Sequence, residues 1–286
     1  MSDNNSNIPT EQITALQDST SKLLKAIIAL FLLCAVSLSL TIVVLLTSDS
    51  SSQQDAVTNP GDLAAIVAEQ MAIQKEAEQQ AAIESRLSGY REVVTGDANP
   101  NSVYGNPSAR FTLVEFSDLE CGFCKRFHDT PKQVVDKYDG AVNWQWQHMP
   151  LDFHNPAAQV LAVASECVRE LGGNQKFWGF LEGVFKRSAG NGQGVSDLPA
   201  LIADYGVDPS KAQDCISSGR QFETVNAHLA RADAMGVDST PTSFIVDNQT
   251  GEYVMLRGAQ PLQAVEATIE RMIQISTSQE NPQTGN

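Results

Sequence analysis

The sequence predicts an α/β fold, a mixed domain with a helical insertion, over residues 91–276. Short β-rich segments lie on both sides of a long block of helical patterns, and a pair of cysteines lies where the first strand gives way to a helix. The predicted order is strand, helix, strand, a helical block at about 154–235, and then strand, strand, helix. This order is typical of a layered α/β domain.

Each predicted element has a local signal. Residues 111–116 form a short β-rich run, Cys121 opens a helical pattern that continues to about 138, and residues 142–148 alternate apolar and polar side chains. Gly172 and Gly173 mark a helix stop. The remaining predictions are helices at 156–171, 175–186, 196–205, 209–216, 221–235 and 261–275, and a hairpin of strands 243–246 and 253–256.

An apolar segment near the N-terminus predicts a membrane anchor. Residues 26–47 contain no charge, proline or glycine, and about 20 helical residues are enough to cross a bilayer. Lys22 and Lys25 precede the segment and acidic residues follow it, so the positive-inside rule places residues 1–25 in the cytoplasm. We therefore expect a single-pass inner-membrane protein whose C-terminal domain is extracytoplasmic, and periplasmic in a Gram-negative cell. A cleaved signal peptide is the alternative.

Three further segments flank the predicted domain. Residues 48–61 are rich in Ser, Gln and Asp and predict a flexible linker, and the polar residues 277–286 predict a disordered tail. Residues 62–90 predict an amphipathic helix whose interrupted apolar stripe suits either packing on the domain or pairing of two copies of the chain. The stripe consists of Leu63, Ile66, Val67, Met71 and Ile73.

The charge balance excludes one class of partner. The 286 residues include 34 acidic and 19 basic side chains, which gives a net charge of -15. No basic surface is large enough for contacts with a phosphate backbone, so nucleic acid is not expected as a partner.

The cysteine pair predicts redox chemistry. Cys121 lies at the first turn of a helix, where unpaired backbone N–H groups and the helix dipole stabilise a thiolate, so it should be the attacking sulfur. Cys124 lies one turn further on the same face and should resolve the intermediate. Half of a zinc site is the competing interpretation, but the sequence contains no second pair with metal-ligand spacing. We expect no metal and no dissociable cofactor.

Four stretches of this sequence resemble the DsbA-like exported thiol–disulfide oxidoreductases, which have a thioredoxin fold with a helical insertion. They are FTLVEFSDLECGFCKRF, MPLDFHNPAA, ASECVRELGGNQKFW and GVDSTPTSFIV, and they span about 111–246. The resemblance implies that Glu115 is an acid beneath the dithiol that exchanges a proton with Cys124. It also implies that the Thr240-Pro241 peptide bond is cis and holds the substrate, which we expect Phe123 to contact as well. From the residues alone, Glu115 facing solvent and a trans Pro241 remain open.

The remaining cysteines and histidines have structural interpretations. Cys167 and Cys215 lie in two helices of the insertion and should form a structural disulfide in an exported chain, although free thiols remain open. The histidines lie on different elements without ligand spacing, so a helix surface, a strand end and a helix start are their expected environments. They are His128, His148 and His154, in that order.

Together these features predict disulfide exchange through a mixed disulfide between Cys121 and an exported cysteine-containing protein. A membrane or soluble redox partner would restore the dithiol or the disulfide. The helical insertion favours an oxidase. Gly122-Phe123 between the cysteines, Thr240 before Pro241 and a possible oligomerising helix resemble the isomerase members, which are kept reduced. A protein that handles Cu(I) or zinc and a tethered scaffold with an inert disulfide are the non-enzymatic alternatives.

Overall fold

The computed structural model describes residues 60–90 and 102–280 of the chain. The predicted cytoplasmic tail, the membrane span at 26–47 and most of the predicted linker lie outside these residues. Among the described helices, none combines the length and the apolar character that a membrane crossing needs.

The first helix, α1, spans Pro60–Leu87. It begins two residues before the predicted start, because proline suits the first helical position, where no N–H is needed. Side chains from 64 to 80 are exposed. The chain divides into two units, Met1–Ala72 and Ile73–Asn286, and the second contains the sheet and the remaining helices. Within this second unit Leu87 and Tyr90 join the main core, so the core extends beyond the predicted boundary at residue 91.

Five strands form one sheet in the order β1-β3-β2-β4-β5. The central strand β2 is parallel to β3 and antiparallel to β4, while β1 and β5 add antiparallel edges. The predicted hairpin of β4 and β5 is confirmed. The short strand β1 was not predicted from the sequence. The strands are β1 Val103–Gly105, β2 Phe111–Ser117, β3 Val142–His148, β4 Thr242–Asp247 and β5 Tyr253–Arg257.

Helices fill the connections, much as the periodicity predicts. The predicted helix at 121–138 is divided in two next to His128, because Pro131 cannot donate a hydrogen bond to the preceding turn. Gly173 has a non-helical backbone with φ of 84° and interrupts α4 at the predicted stop. The helices are α2 Gly122–Phe127, α3 Asp129–Lys137, α4 Ala157–Arg187, α5 Leu198–Ala203, α6 Pro209–Ser218, α7 Phe222–Ala234 and α8 Leu262–Glu280, with a 3-10 turn at Asp152–His154.

The last helix corrects the predicted tail. Helix α8 continues to Glu280, so residues 277–280, expected to be disordered, are helical. Apolar side chains such as Ile269 and Met272 pack α8 on the core and support the helix at that end. Residues 281–286 lie outside the described part.

The main core lies between one face of the sheet and the helices. In the parallel register of β2 with β3, Leu113 lies beside Trp144 and Glu115 lies beside Trp146, so these four side chains share that face. The opposite face packs a smaller apolar cluster around Phe116. The main core contains large aromatic side chains that are fully buried. They include Tyr104, Trp144, Trp146, Phe177, Trp178 and Phe180.

A disulfide holds the helical insertion together. Cys167 in α4 and Cys215 in α6 are bonded, as predicted, with their Cα atoms 5.9 Å apart. Both residues are fully buried.

Candidate active site

The candidate site is built where strand β2 ends and helix α2 begins. The backbone N–H of Cys121 donates to the carbonyl of Asp118 at 3.1 Å and closes the connecting turn. The carboxylate of Asp118 accepts from the backbone N–H of Glu120 at 2.7 Å. This turn places Cys121 at the N-terminal end of helix α2, where it is the N-cap residue.

Cys121 is the more exposed sulfur of the pair and is 7% exposed. Its pKa is lowered from 9.0 to about 5, chiefly because the thiol of Cys124 donates a hydrogen bond to it. The side chain of Thr240 and the backbone N–H groups at the helix start also lower the pKa, and burial opposes them. At neutral pH Cys121 is therefore a thiolate, which is the nucleophilic form.

Cys124 is fully buried. The backbone N–H of Asp118 donates to its sulfur at 3.5 Å. Burial raises the pKa of Cys124 well above its ordinary value, and the neighbouring Cys121 raises it further. Both cysteines are free thiols in this structure. The predicted division between an accessible sulfur at Cys121 and a shielded sulfur at Cys124 agrees with this geometry.

Glu115 is fully buried beneath the dithiol, so the interpretation in which it faces solvent is wrong. Burial raises its pKa to about 8, and the polar side chains of Ser117 and Trp144 nearby oppose this rise in part. Neither carboxylate oxygen has a hydrogen-bond partner within 3.5 Å among the described residues. A buried carboxylic acid with such a pKa gains or loses its proton near neutral pH.

A second segment completes the site from the start of strand β4. The Thr240-Pro241 peptide bond is cis, as predicted. The sulfur of Cys121 lies 3.6 Å from the carbonyl oxygen of Thr240, to which it can donate a hydrogen bond when it is protonated. Phe123 is 58% exposed. The guanidinium of Arg126 lies over its ring at 4.3 Å from the centroid.

A loop from the helical insertion borders the dithiol, and the sequence did not single it out. Glu120 is buried and its carboxylate accepts from the hydroxyl of Ser188 and from the backbone N–H of Gly194 at 3.0 Å. Its carbonyl accepts from the N–H of Asn191 at 2.9 Å. Glu120 thus fixes the loop beside Cys121. A small cleft between them is lined by Leu119, Glu120, Cys121, Gly122, Lys125, Phe185, Ser188, Ala189 and Gly190.

The predicted surface position of His128 is wrong, because the ring is buried among aromatic side chains. Burial lowers its pKa to about 4. His148 ends β3, as expected, and is also buried. His154 closes the 3-10 turn before α4, near the expected helix start, but it is buried against the site.

Ligand atoms of His148, Glu166 and His228 lie within 4.8 Å of one another, a spacing that suits a metal ion. Their hydrogen bonds argue against one. Trp146 donates to Nδ1 of His148 at 3.0 Å, so the proton of this ring is on Nε2, 3.1 Å from the Glu166 carboxylate. Nδ1 of His228 accepts from the backbone N–H of His148 at 3.1 Å. In both histidines Nδ1 therefore already accepts a hydrogen bond and Nε2 carries the hydrogen, so neither ring offers a free lone pair to a metal ion.

A nucleophilic thiolate beside a shielded thiol, an acid below them and a cis proline opposite define a thiol–disulfide oxidoreductase site on a thioredoxin fold. Residues 97–270 match the thioredoxin family in sequence. DsbA2 of Pseudomonas aeruginosa is 32% identical, with 62% of this chain and 97% of that chain covered at a TM-score of 0.56. The chain belongs to the thioredoxin family, and within it to the DsbA-like thiol–disulfide oxidoreductases.

More distant solved structures share the fold. BdbD from Bacillus subtilis, in its oxidised form, is 23% identical, and 63% of this chain and 98% of that chain are covered at a TM-score of 0.52. Alpha-DsbA1 of Wolbachia pipientis is 20% identical, and 66% of this chain and 98% of that chain are covered at a TM-score of 0.54.

Curated relatives of similar sequence are much longer proteins. Na(+)/H(+) antiporter NhaA of Herminiimonas arsenicoxydans is 28% identical over 186 residues, which are 65% of this chain and 28% of that protein. NhaA 1 of Mycolicibacterium gilvum is 30% identical over 151 residues, 52% of this chain and 24% of that protein. The chain spans about a quarter of the length of these relatives.

Proposed function

We propose that this chain is a membrane-anchored oxidase that forms disulfide bonds in exported, cysteine-containing proteins. The observation that carries the proposal is the contrast between the two cysteines, since Cys121 is held as a thiolate and Cys124 as a thiol. Contacts that stabilise the thiolate of Cys121 stabilise the reduced protein. They make its disulfide a stronger oxidant.

The reaction proceeds by two exchanges. A substrate thiolate attacks the Cys121 sulfur of the oxidised protein, a substrate–Cys121 bond forms, and Cys124 leaves as a thiolate. Glu115, protonated at neutral pH, supplies the proton that Cys124 takes up. A second substrate thiolate then attacks the substrate sulfur and expels Cys121 as a thiolate. Two electrons pass from the substrate dithiol to the protein. The low pKa of Cys121 makes it a good leaving group in the last step.

The substrate is held beside cis-Pro241. An extended substrate segment that pairs with the backbone near Thr240 would bring its sulfur toward Cys121, because the Thr240 carbonyl lies 3.6 Å from that sulfur. The exposed ring of Phe123 offers an apolar contact on the helix side.

The anchor and the location of the domain are part of this proposal, and they rest on the apolar segment at 26–47 and on Lys22 and Lys25 before it. A redox partner in or near the membrane would reoxidise the dithiol. We also propose that α1 pairs two copies of the chain. Ile66, Val67, Met71 and Ile73 are each about half exposed or more, and such a row of apolar side chains is costly to leave in water.

The proposed function is tested by the alkylation rate of the reduced chain against pH and by the equilibrium of its dithiol with glutathione. We expect a midpoint near pH 5 for Cys121 and a strongly oxidising equilibrium. Cys121→Ser is the control and should abolish labelling, because Cys124 is fully buried. A midpoint above pH 8 would contradict an activated nucleophile.

The glutathione equilibrium, a metal analysis of the reduced chain and the activity of Cys121→Ser separate the alternatives. A reducing equilibrium would support the isomerase or reductase, which Gly122-Phe123 and Thr240 favour. Tightly bound, stoichiometric Cu(I) or zinc in the reduced chain, without thiol exchange, would support a metal-handling protein. Unchanged activity in Cys121→Ser would support an inert scaffold.

A further inference from the structure

Asp118 is a junction of hydrogen bonds next to the dithiol. It is 1% exposed, and its backbone N–H donates to the sulfur of Cys124 at 3.5 Å. One carboxylate oxygen accepts from the N–H of Glu120 at 2.7 Å. The other accepts from the N–H of Leu151 at 2.9 Å and faces Nδ1 of His154 at 2.7 Å. The orientation of the Asp118 N–H that faces the sulfur of Cys124 therefore depends on Leu151 and His154, which lie more than 30 residues away in sequence.

His154 is the side-chain partner in this junction. Its ring is 4% exposed, and because Nδ1 faces a carboxylate it must carry a hydrogen there, whether or not the other nitrogen is protonated. Leu151 and His154 belong to the same connection between β3 and α4 and hold the same oxygen of Asp118. Without His154 a buried carboxylate oxygen would lose one of its two donors and the peptide at Asp118 would lose a restraint.

We propose that His154 is a positioning residue for disulfide exchange, which through Asp118 fixes the backbone N–H that donates to the sulfur of Cys124. The inference rests on the proposed function. Cys124 is a thiolate at one moment of each exchange, and a hydrogen bond to an anion is stronger than one to a neutral thiol. The aligned N–H of Asp118 therefore stabilises the transition state in which Cys124 attacks or leaves.

The affected step can be stated by its bonds. When the protein closes its disulfide, the Cys124 thiolate attacks the Cys121 sulfur of a mixed disulfide, the Cys121–Cys124 bond forms, and the partner sulfur leaves as a thiolate. The opposite direction passes through the same transition state, so His154 influences both. Attack by Cys121 on a new disulfide does not change the charge on Cys124 and should not depend on His154.

The test mixes the reduced chain with excess oxidised glutathione, quenches with acid and measures the mixed disulfide and the closed disulfide by mass. In His154→Leu we expect closure to be about five- to tenfold slower, as loss of a hydrogen bond to a charged group implies, with an unchanged rate of mixed-disulfide formation. His154→Asn should restore closure to within about twofold, because its amide nitrogen can reach the position of Nδ1.

His228→Leu is the matched control, since this histidine is 5% exposed and Nδ1 accepts from a backbone N–H outside the dithiol junction. It should leave both rates unchanged. If His154→Leu fails to fold, His154→Gln replaces it, because its longer side chain places the amide away from Nδ1. Equal closure rates in the folded His154 variant and the parent would overturn the inference. It would also be overturned if mixed-disulfide formation and disulfide closure were slowed to the same extent in the His154 and the His228 variants. A parent chain that forms no mixed disulfide would instead overturn the proposed function.

Discussion

At the scale of single residues, burial raises the pKa of both sulfurs of the site, but it dominates at only one of them. At Cys121 the hydrogen bonds to a thiolate outweigh the cost of burying charge, so its pKa falls to about 5. At Cys124 burial dominates and its pKa rises. Glu115 behaves like Cys124, because burial is the largest influence on its pKa and raises it. The site thus separates one charged group from two neutral ones.

The first prediction concerns the buried acid. The pKa of Glu115 is about 8 in the folded protein, against about 4.3 in an unfolded chain, so the folded state keeps a proton that the unfolded state loses. Its contribution to stability is complete below about pH 4.3 and is lost as the pH rises through 8. Glu115→Gln should match the parent at pH 4 and be roughly 2–4 kcal/mol more stable at pH 8 to 9, measured by urea unfolding of the reduced chain.

Glu69→Gln, on the exposed part of α1, is the control and should leave the pH dependence of stability unchanged. A constant difference between Glu115→Gln and the parent across the whole pH range would contradict a raised pKa for Glu115.

Sequence could identify Cys121 and Cys124, but it could not decide the environment of Glu115. Alternation along β2 places Leu113 and Glu115 on one face, and it distinguishes core from solvent only where one face of a sheet is exposed. Here both faces are covered, so the alternation gave no answer. His154 was missed for a related reason. Its role depends on Asp118, and the contact arises only when two connections meet in space.

At the scale of elements, the antiparallel pairing of β2 with β4 assembles the site. Phe116 lies opposite Thr242 in this register, so the C-terminal end of β2 and the N-terminal end of β4 meet at one edge of the sheet. Cys121 follows the end of β2 and Pro241 precedes the start of β4, so the two residues meet at this edge of the sheet. The strands themselves were predictable from composition, whereas the three-residue strand β1 is too short to show a period and was missed.

The second prediction concerns the disulfide of the helical insertion. Its cysteines are 48 residues apart, so the bond restricts a long loop in the unfolded chain. Replacing Cys167 and Cys215 together by alanine should lower the free energy of unfolding by about 2–4 kcal/mol in urea denaturation. Exchange with glutathione should persist under conditions where the variant is folded, because Cys121 and Cys124 lie at the start of α2, outside the helices that the disulfide joins. Loss of exchange in the folded variant would show that the disulfide takes part in the reaction.

At the scale of the whole molecule, the second unit uses residues that precede the predicted domain. Leu87 and Tyr90 are 6% and 3% exposed and belong to the main core. The amide of Gln175 donates to the carbonyls of both residues, at 3.3 Å and 2.7 Å. Packing of residues 62–90 on the domain was one of two alternatives, but the predicted apolar stripe ends at Ile73, so the pattern did not identify Leu87 and Tyr90 as core residues.

The third prediction separates the two ends of α1. A chain that begins at residue 81 should be as stable as one that begins at 60, whereas a chain that begins at 91 should lose about 3–5 kcal/mol, because Leu87 and Tyr90 leave the core. Sedimentation should show a dimer for the chain that begins at residue 60 and a monomer for the chain that begins at residue 81, which lacks the exposed apolar row of α1. Ile66→Glu should also give a monomer without loss of stability. Equal sedimentation of all these forms would contradict self-association through α1.

The buried disulfide has a consequence for how each copy of this protein matures. Both sulfurs of the Cys167–Cys215 bond are at 0% exposure, so a soluble oxidant cannot reach them once the helices have packed. The bond must form while the insertion is still open. A newly made copy therefore needs an oxidant for Cys167 and Cys215 during its own folding, and this is the same chemistry that we propose a finished copy performs on exported proteins.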